Sequence, residues 1–377
     1  MATVQKVLIV GGGIGGLCTA VALHKANIEC EIVEVNPRWD VYGVGIIQQA
    51  NALRALATLG LAERVVAEGY GMDALELHTP NGHLIARIPQ PRLAGPQFPA
   101  TNAIARPRLH AVLQDAVHDA GVPVRVGVTV QSLKQTPDHV SASFTDGTSG
   151  EYDLVVGADG LRSLVRRMVF GEEYQPQFEG QMVWRYNLPK PEDVKDIWMF
   201  MGIDPRVGFV PLSPDLMYMF LVETPAPGAD LRVPDDELAG RMRDLLAHYP
   251  DGPVAAVRDQ ITDSSKVVYR PFESILVPAP WNRGRVVLVG DSAHAMTAHI
   301  AQGAAMVMED AVVLGEELTK GDGIADALAR YSERRFERCK QFVDISLLFA
   351  KWEREHSPDA DMEGATRRSF EIAAQPA

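Results

Sequence analysis

Apolar residues follow two patterns along this chain. The first is a short unbroken run, seen in KVLIV (6–10), CEIVEV (30–35), the start of LVVGADG (154–160) and RVVLVG (285–290). Runs this short, bounded by glycine or polar residues, predict strands covered on both faces, as in a parallel sheet. The second lies between about 180 and 222, where VWRYNL, IWMFMG, GFVPL and LMYMFLVE are separated by Pro and Asp turns. Aromatic and Met-rich segments spaced in this way predict an antiparallel sheet.

Helical periodicity covers 14–26, 49–59 up to Gly60, 107–120, 234–248 and most of the chain from about 303. Residues 74–105 alternate like strands around a Pro-rich stretch at 89–99. Strands at 124–130 and 138–144 flank a turn, and Asp146-Gly147 supplies another. The expected fold is therefore α/β: a Rossmann-like nucleotide-binding domain, an inserted mainly antiparallel sheet domain and C-terminal helices. The nucleotide domain would be discontinuous, from 1–73, 100–179 and 268–377. The segments 74–99 and 180–267 would form the inserted substrate-binding sheet.

Composition narrows the function. The 377 residues are 46% apolar and 23% charged, which suits a folded globular chain with more than one core. A formal charge of −13 without any Lys/Arg run argues against a nucleic-acid partner. Cys18, Cys30 and Cys339 form no CxxC pair and no metal-ligand spacing, so reduced thiols and no metal site are expected. The N-terminus enters a strand directly, without the order of a signal peptide, and no apolar stretch reaches the roughly 18 residues of a membrane span. A cytoplasmic protein, monomeric or homodimeric, is the expectation.

The first turn, Gly11-Gly12-Gly13-Ile14-Gly15-Gly16, fits GxGxxG between a strand and a helix. Gly11 permits the tight turn, Gly13 lets backbone approach a pyrophosphate, and Gly16 lets the helix pack on the strand. Free N–H groups at the helix start face the phosphates. Glu34 ends the second strand, eighteen residues after Gly16, where a carboxylate can hold ribose hydroxyls. Val35 follows it. The turn alone does not separate NAD from FAD.

Two later motifs do. GADGLRSLVR (157–166) and GDSAH (290–294) follow in order, and the second extends through Gln302-Gly303 to Glu309-Asp310-Ala311. With them the chain resembles the class A flavoprotein monooxygenases, the para-hydroxybenzoate hydroxylase fold, over nearly its whole length. Asp159, Gly160, Ser163 and Arg166 match one family signature; Gly290 and Asp291 match the other.

That resemblance implies non-covalent FAD, NAD(P)H as co-substrate, O2 and a small aromatic substrate hydroxylated through a flavin C4a-hydroperoxide. It implies that Asp291 meets the ribityl chain and that Arg106, with Arg108 as rival, reaches the FAD phosphates. Val130 would lie beside the adenine and Ile47 beside the flavin end. The helix starting at Gly303, Ala304 and Ala305 would point its N-terminus at the flavin pyrimidine and stabilise the reduced anion. Asp159 would fix loops around both nucleotides.

For the substrate face, the resemblance places Tyr218 against a ring hydroxyl and His299 as acceptor of a phenolic proton. Arg206 would meet a carboxylate or anionic intermediate, and Arg185 serves similarly or is architectural. His294 belongs to the motif and reads as structural. The family usually has proline at 298 and Pro-Asn at 50–51; this chain has Ala298 and Ala50-Asn51, which brings Gln48 or Gln49 toward the pocket. HAMTAHIAQGAAM resembles 6-hydroxynicotinate 3-monooxygenase and 3-hydroxybenzoate 6-hydroxylase more than para-hydroxybenzoate hydroxylase.

A phenol, hydroxybenzoate or hydroxypyridine is the implied substrate type. Other readings are an epoxidase, N-hydroxylase or flavin reductase on the same fold, or a flavin-binding subunit that depends on a partner. No tryptophan makes the WxWxIP of flavin halogenases, and an NAD-dependent dehydrogenase would leave the Asp159 and Asp291 motifs without purpose.

Overall fold

A computed structural model describes residues 4–377 except 42, 203 and 322. The buried runs pair in register as a six-stranded sheet. Its order is Asn282–Arg283, Val286–Leu288, Leu154–Gly157, Lys6–Val10, Glu29–Glu34 and Val124–Val126. All neighbours are parallel except the first pair. Helices Ile14–Lys25 and Gly303–Leu318 cover this sheet and share its core with Leu8, Ile9, Val156, Leu288 and Leu314. Two-sided burial is why these strands lack polar alternation.

The aromatic segments form a seven-stranded sheet. Its order is Val268–Ser274, Gln177–Pro189, Leu216–Glu223, Arg206–Pro211, Ile197–Phe200, Ala74–His78 and Leu84–Pro89. All pairs are antiparallel except Ile197–Phe200 with Ala74–His78. Residues alternate between two faces. On the outer face Trp184, Tyr186, Phe209, Met217, Met219 and Leu221 pack against helices Leu238–Leu246 and Gly252–Arg258. The other face carries Val183, Arg185, Asn187, Arg206, Gly208, Val210, Tyr218, Phe220 and Val222.

A three-stranded sheet, Gly45–Gln49, Thr101–Ala105 and Tyr70–Met72, lies against this inner face through Val44, Ala103, Val210 and Tyr218. The long helix Ile324–Glu355 runs from the core of the first sheet to the start of strand Gln177–Pro189, where Arg354 donates to the Glu179 carbonyl at 2.6 Å.

Three expectations shift. Strand Val268–Ser274 and residues 177–179, which the pattern assigns to the nucleotide part, are hydrogen-bonded into the seven-stranded sheet. The expected strand 124–130 breaks at Gly127, whose φ of +73° turns the chain: Val124–Val126 ends the first sheet and Val130 starts a separate three-stranded one. The helix expected over 234–248 spans only Leu238–Leu246, because Pro234 to Glu237 close a turn first.

Candidate active site

The glycine turn is held from several sides. Gly11 adopts φ +110°, and a Cβ there would lie 2.5 Å from the Ala158 carbonyl oxygen. At Gly16 it would lie 1.8 Å from the Gly11 oxygen, so no larger residue fits. Gly15 packs on Val307. At Gly13, by contrast, a Cβ would meet nothing within 4 Å, so the turn faces open space. Glu34 grips the turn: its carboxylate accepts from the Gly12 N–H at 2.7 Å and the Asn36 N–H at 2.7 Å. Trp39 Nε1 donates to the Gly12 carbonyl at 2.9 Å, and His110 Nε2 sits 3.0 Å from the same oxygen. Sequence reading missed Trp39 and His110, since neither lies in a motif. Val35 is 66% exposed at the lip of this turn. Val130 departs from expectation: its side chain is 1% exposed and belongs to the core, so only its backbone can meet an adenine.

The two later motifs serve different ends. Asp159 accepts from Ser163 Oγ at 2.5 Å and from the Leu164 and Val165 N–H groups at 2.6 and 3.0 Å. It thereby closes its own loop onto helix Leu164–Phe170. Burial pushes its carboxyl up, against those hydrogen bonds. Buried Arg166 donates to the carbonyls of Leu161, Tyr174 and Ser292, fastening the Asp-Gly loop to the Gly-Asp loop. Asp291 is different: its carboxylate has no hydrogen-bond or ion-pair partner among the described residues. It opens to solvent through the cleft, while enclosure by protein raises its carboxyl, opposed by His294 and Arg106. An unmet acceptor beside Arg106 suits a polyol chain.

Helix Gly303–Leu318 starts next to it. The first intrahelical bond runs from the Met306 N–H to the Gln302 carbonyl, which leaves the N–H groups of Gly303, Ala304 and Ala305 without intrahelical partners. A Cβ at Gly303 would meet nothing within 4 Å, so ligand can approach the backbone there. Ala305 points its methyl into the core, and Ala304 is half-buried.

A buried ion network pins this helix start from behind. His294 Nε2 and Asp310 Oδ2 are 2.6 Å apart, and Arg335 donates to Asp310 at 2.7 Å and to Glu309 at 2.7 Å. Arg338 adds two bonds to Glu309, and Asn51 Nδ2 bridges Gln302 and Glu309 at 3.0 and 3.1 Å. Burial pushes the Asp310 carboxyl up, but His294 and Arg335 outweigh it and hold it at about 2. His294, Asp310 and Cys339 converge closely enough to ligate a cation. Arg335 already supplies positive charge to the other Asp310 oxygen, so the group reads as an ion-pair network.

Where the two sheets meet, a cavity of about 140 Å3 is lined by Gly43, Val44, Gly45, Arg106, Arg185, Val268 and Arg270. None of its three arginines has a carboxylate partner among the described residues. Desolvation lowers the Arg185 guanidinium, with neighbouring Arg106 lowering it further and Tyr218 opposing. Arg106 therefore faces the cleft; Arg108 is exposed and lines none of this cavity. Tyr218 packs on Gly45, where a Cβ would lie 2.4 Å from its ring. Burial pushes its phenol up to about 12, against Arg185. Ile47 packs in the same cluster. Gln48 turns away from it to accept from Asn102 at 2.6 Å, while Gln49 contacts Thr101.

On the same inner face, two strands away from Arg185, Arg206 comes together with His299, far apart in sequence, around a residue that sequence reading missed. Glu353, near the end of helix Ile324–Glu355, lies 3.1 Å from Arg206 and 3.2 Å from His299 Nε2. His299 Nδ1 is 2.9 Å from Thr297 Oγ1, which meets Ser346 Oγ at 2.5 Å, and the imidazole lies against Phe272. Both ring nitrogens thus face protein groups. Burial lowers the His299 pKa, outweighing Glu353. Burial raises the Glu353 carboxyl, but Arg206 and His299 bring it below the ordinary glutamate value. Among the described residues Arg206 Nε and Asn187 Oδ1 are buried without hydrogen-bond partners, and His299 Nε2 and Glu353 Oε2 meet as a close ion-pair contact without hydrogen-bond geometry. Nothing marks Glu353 in sequence, where it is one of many charges in a 32-residue helix.

Comparison with known proteins finds relatives over nearly the whole chain. The FAD binding domain family matches residues 4–346. The chain is 35% identical over 347 residues to the aurachin C monooxygenase/isomerase of Stigmatella aurantiaca, covering 91% of this chain and 88% of that one. It is 35% identical over 318 residues to the 2-heptyl-3-hydroxy-4(1H)-quinolone synthase of Pseudomonas aeruginosa, covering 82% and 80%. Its fold superposes on Klebsiella pneumoniae HpxO complexed with FAD and uric acid with a TM-score of 0.83 at 26% identity, covering 98% and 93%.

Proposed function

The chain belongs to the FAD-binding family of class A flavoprotein monooxygenases and hydroxylates a small aromatic or heteroaromatic compound; from that premise we propose a single-component NAD(P)H-dependent hydroxylase of an electron-rich, oxo- or hydroxyl-bearing ring. The observation that carries the reading is the shared cleft. Arg106 joins the two parts: it lines a cavity with Arg185 of the inner sheet face and with Gly45, on which Tyr218 packs, and it is close enough to Asp291 to oppose the upward push of burial on its carboxyl.

Bound FAD supplies the redox chemistry, taking two electrons from NAD(P)H and activating O2. The protein supplies the rest. Gly13 and the helix start Ile14–Lys25 hold the pyrophosphate through backbone N–H groups, with Arg106 as counter-charge. Glu34 keeps lone pairs free for a ribose, Asp291 would accept from the ribityl chain, and Val35 would flank the adenine. The N–H groups of Gly303, Ala304 and Ala305 would favour negative charge on a flavin ring held there. The phenol of Tyr218 stays protonated at neutral pH and orients a ring oxygen by donating to it. His299, whose side chain is wholly buried between Thr297, Glu353 and Phe272, does not reach substrate as the expected proton acceptor and instead positions Glu353. Arg185 and Arg270, without carboxylates, suit the phosphates of the visiting nicotinamide nucleotide. Apolar residues around Phe220 and Met199 exclude water from the reacting centre.

The resemblance of residues 294–306 to hydroxynicotinate and hydroxybenzoate hydroxylases supports a six-membered ring. The quinolone and uric acid in the names of relatives support nitrogen heterocycles foremost. The test is oxidation of NADH and NADPH by the FAD-loaded protein, with O2 uptake, across phenols, hydroxybenzoates, hydroxypyridines and quinolones. At least one ring should accelerate oxidation more than about tenfold, as for effector-stimulated flavin turnover. Oxidation that no aromatic accelerates would contradict the reading.

A further inference from the structure

Arginines on the inner face of the seven-stranded sheet fall into two electrostatic states. Arg185 and Arg270 face the cavity beside Gly43 and Gly45, and no carboxylate accompanies them among the described residues. Arg206 lies on the same face two strands away from Arg185, in the cross-strand row that Val222 and Val183 continue to Arg270. It carries its own counter-ion, because a Glu353 oxygen lies 3.1 Å from its guanidinium. The two side chains are only 20% and 16% exposed, so solvent screens the pair weakly.

The inner face around this pair is apolar. Phe220 lies over Gly208 beside Met199, and Phe272 packs on His299. Arg206 and Glu353 sum to zero charge, and neutral His299 adds none. A substrate carboxylate placed here would meet an arginine already neutralised and a glutamate of its own sign. A neutral ring oxygen meets no such conflict, and Arg206 Nε is a buried donor without an acceptor. Asn187 Oδ1, on the same face and also without a partner, can accept from a ring N–H or O–H.

Building on the hydroxylase reading of this site, we propose that Glu353 makes the enzyme selective for uncharged aromatic substrates, an oxo- or hydroxy-heteroaromatic ring without a carboxylate, by occupying Arg206 in advance. The resemblance-based expectation that Arg206 binds a substrate carboxylate is thereby replaced. Substrate specificity becomes a difference between a satisfied polar contact and a like-charge conflict.

The experiment compares paired ligands on the FAD-loaded enzyme by calorimetric titration, so that binding is read apart from turnover. The pairs are 4-quinolone with 4-hydroxyquinoline-2-carboxylate, and 3-hydroxypyridine with its 2-carboxylate. Wild type should bind the uncharged member at least tenfold more tightly. Glu353→Gln, which keeps the shape and removes the charge, should erase or reverse that preference. A carboxylated member that binds wild type as tightly as its uncharged partner overturns the proposal, and this comparison needs no variant to fold. Unchanged discrimination in Glu353→Gln overturns it as well. If no ligand binds either protein, the hydroxylase reading and this inference both fall. If uncharged ligands bind selectively but gain no oxygen with NAD(P)H and O2, charge selection stands and the hydroxylase reading alone fails.

Discussion

Arg185 and Arg206 sit on one face of one sheet, yet the protein treats them oppositely. Arg185 lines a cavity with Arg106 and Arg270 and has no acid partner among the described residues, while Arg206 is neutralised by Glu353. An unpaired cation in a poorly solvated place costs free energy, and a ligand anion can recover it. A paired cation gains little from a second anion. The contrast separates an arginine left open to a ligand anion from one already neutralised, which suits an uncharged ring.

The largest expected effect breaks the paired side. Glu353→Ala leaves Arg206 buried and alone and should cost about 3 kcal/mol of stability, read by denaturant unfolding. Arg185→Ala should cost no stability, because it removes a charge that lacks a partner. Equal losses in the two variants would erase the contrast. Next in size, Arg106→Ala should weaken FAD binding by about thirtyfold, near 2 kcal/mol for a charge-assisted contact, with the difference shrinking at high salt. Fluorescence of released FAD measures it. Tyr218→Phe sharpens the division between packing and chemistry. Its hydroxyl has no hydrogen-bond partner among the described residues, so stability should change by less than about 0.5 kcal/mol, while kcat falls about tenfold.

The smallest effect is a pH dependence. Burial holds His299 below its ordinary 6.5, so between that value and its folded pKa the unfolded chain binds more protons. Stability should therefore fall as pH drops below 6.5 and level off below the folded pKa, with His299→Gln removing under about 1 kcal/mol of that loss. Thermal melts across pH 5–7.5 would check it. The same sign places any acid limb of kcat/KM due to His299 below 6.5.

How much of this is legible in the sequence follows the same division. The glycine turn, Glu34 and the parallel strands are local features: a few neighbouring residues determine them, so their spacing reveals them. The aromatic alternation at 183–223 gave the second sheet and left the faces of Arg185, Arg206 and Tyr218 to be read from period two. Val268–Ser274 was misassigned because a strand pattern does not name its sheet, and the break at Gly127 depends on one positive φ. Val130 was misjudged because burial in a core and contact with a ligand look alike as a valine. Glu353 was invisible, since its partners lie 147 and 54 positions away in sequence and only the path of helix Ile324–Glu355 brings them together. Trp39 and His110 on the Gly12 carbonyl were missed for the same reason.

The most direct test of the account is a single turnover under 18O2 with 4-quinolone or 3-hydroxypyridine, NAD(P)H and the FAD-loaded protein, followed by mass spectrometry. One labelled oxygen on a ring carbon, in proportion to the nicotinamide oxidised, is the predicted result. Nicotinamide oxidation that ends in hydrogen peroxide alone, with these and every other aromatic ring returned unlabelled, would contradict it.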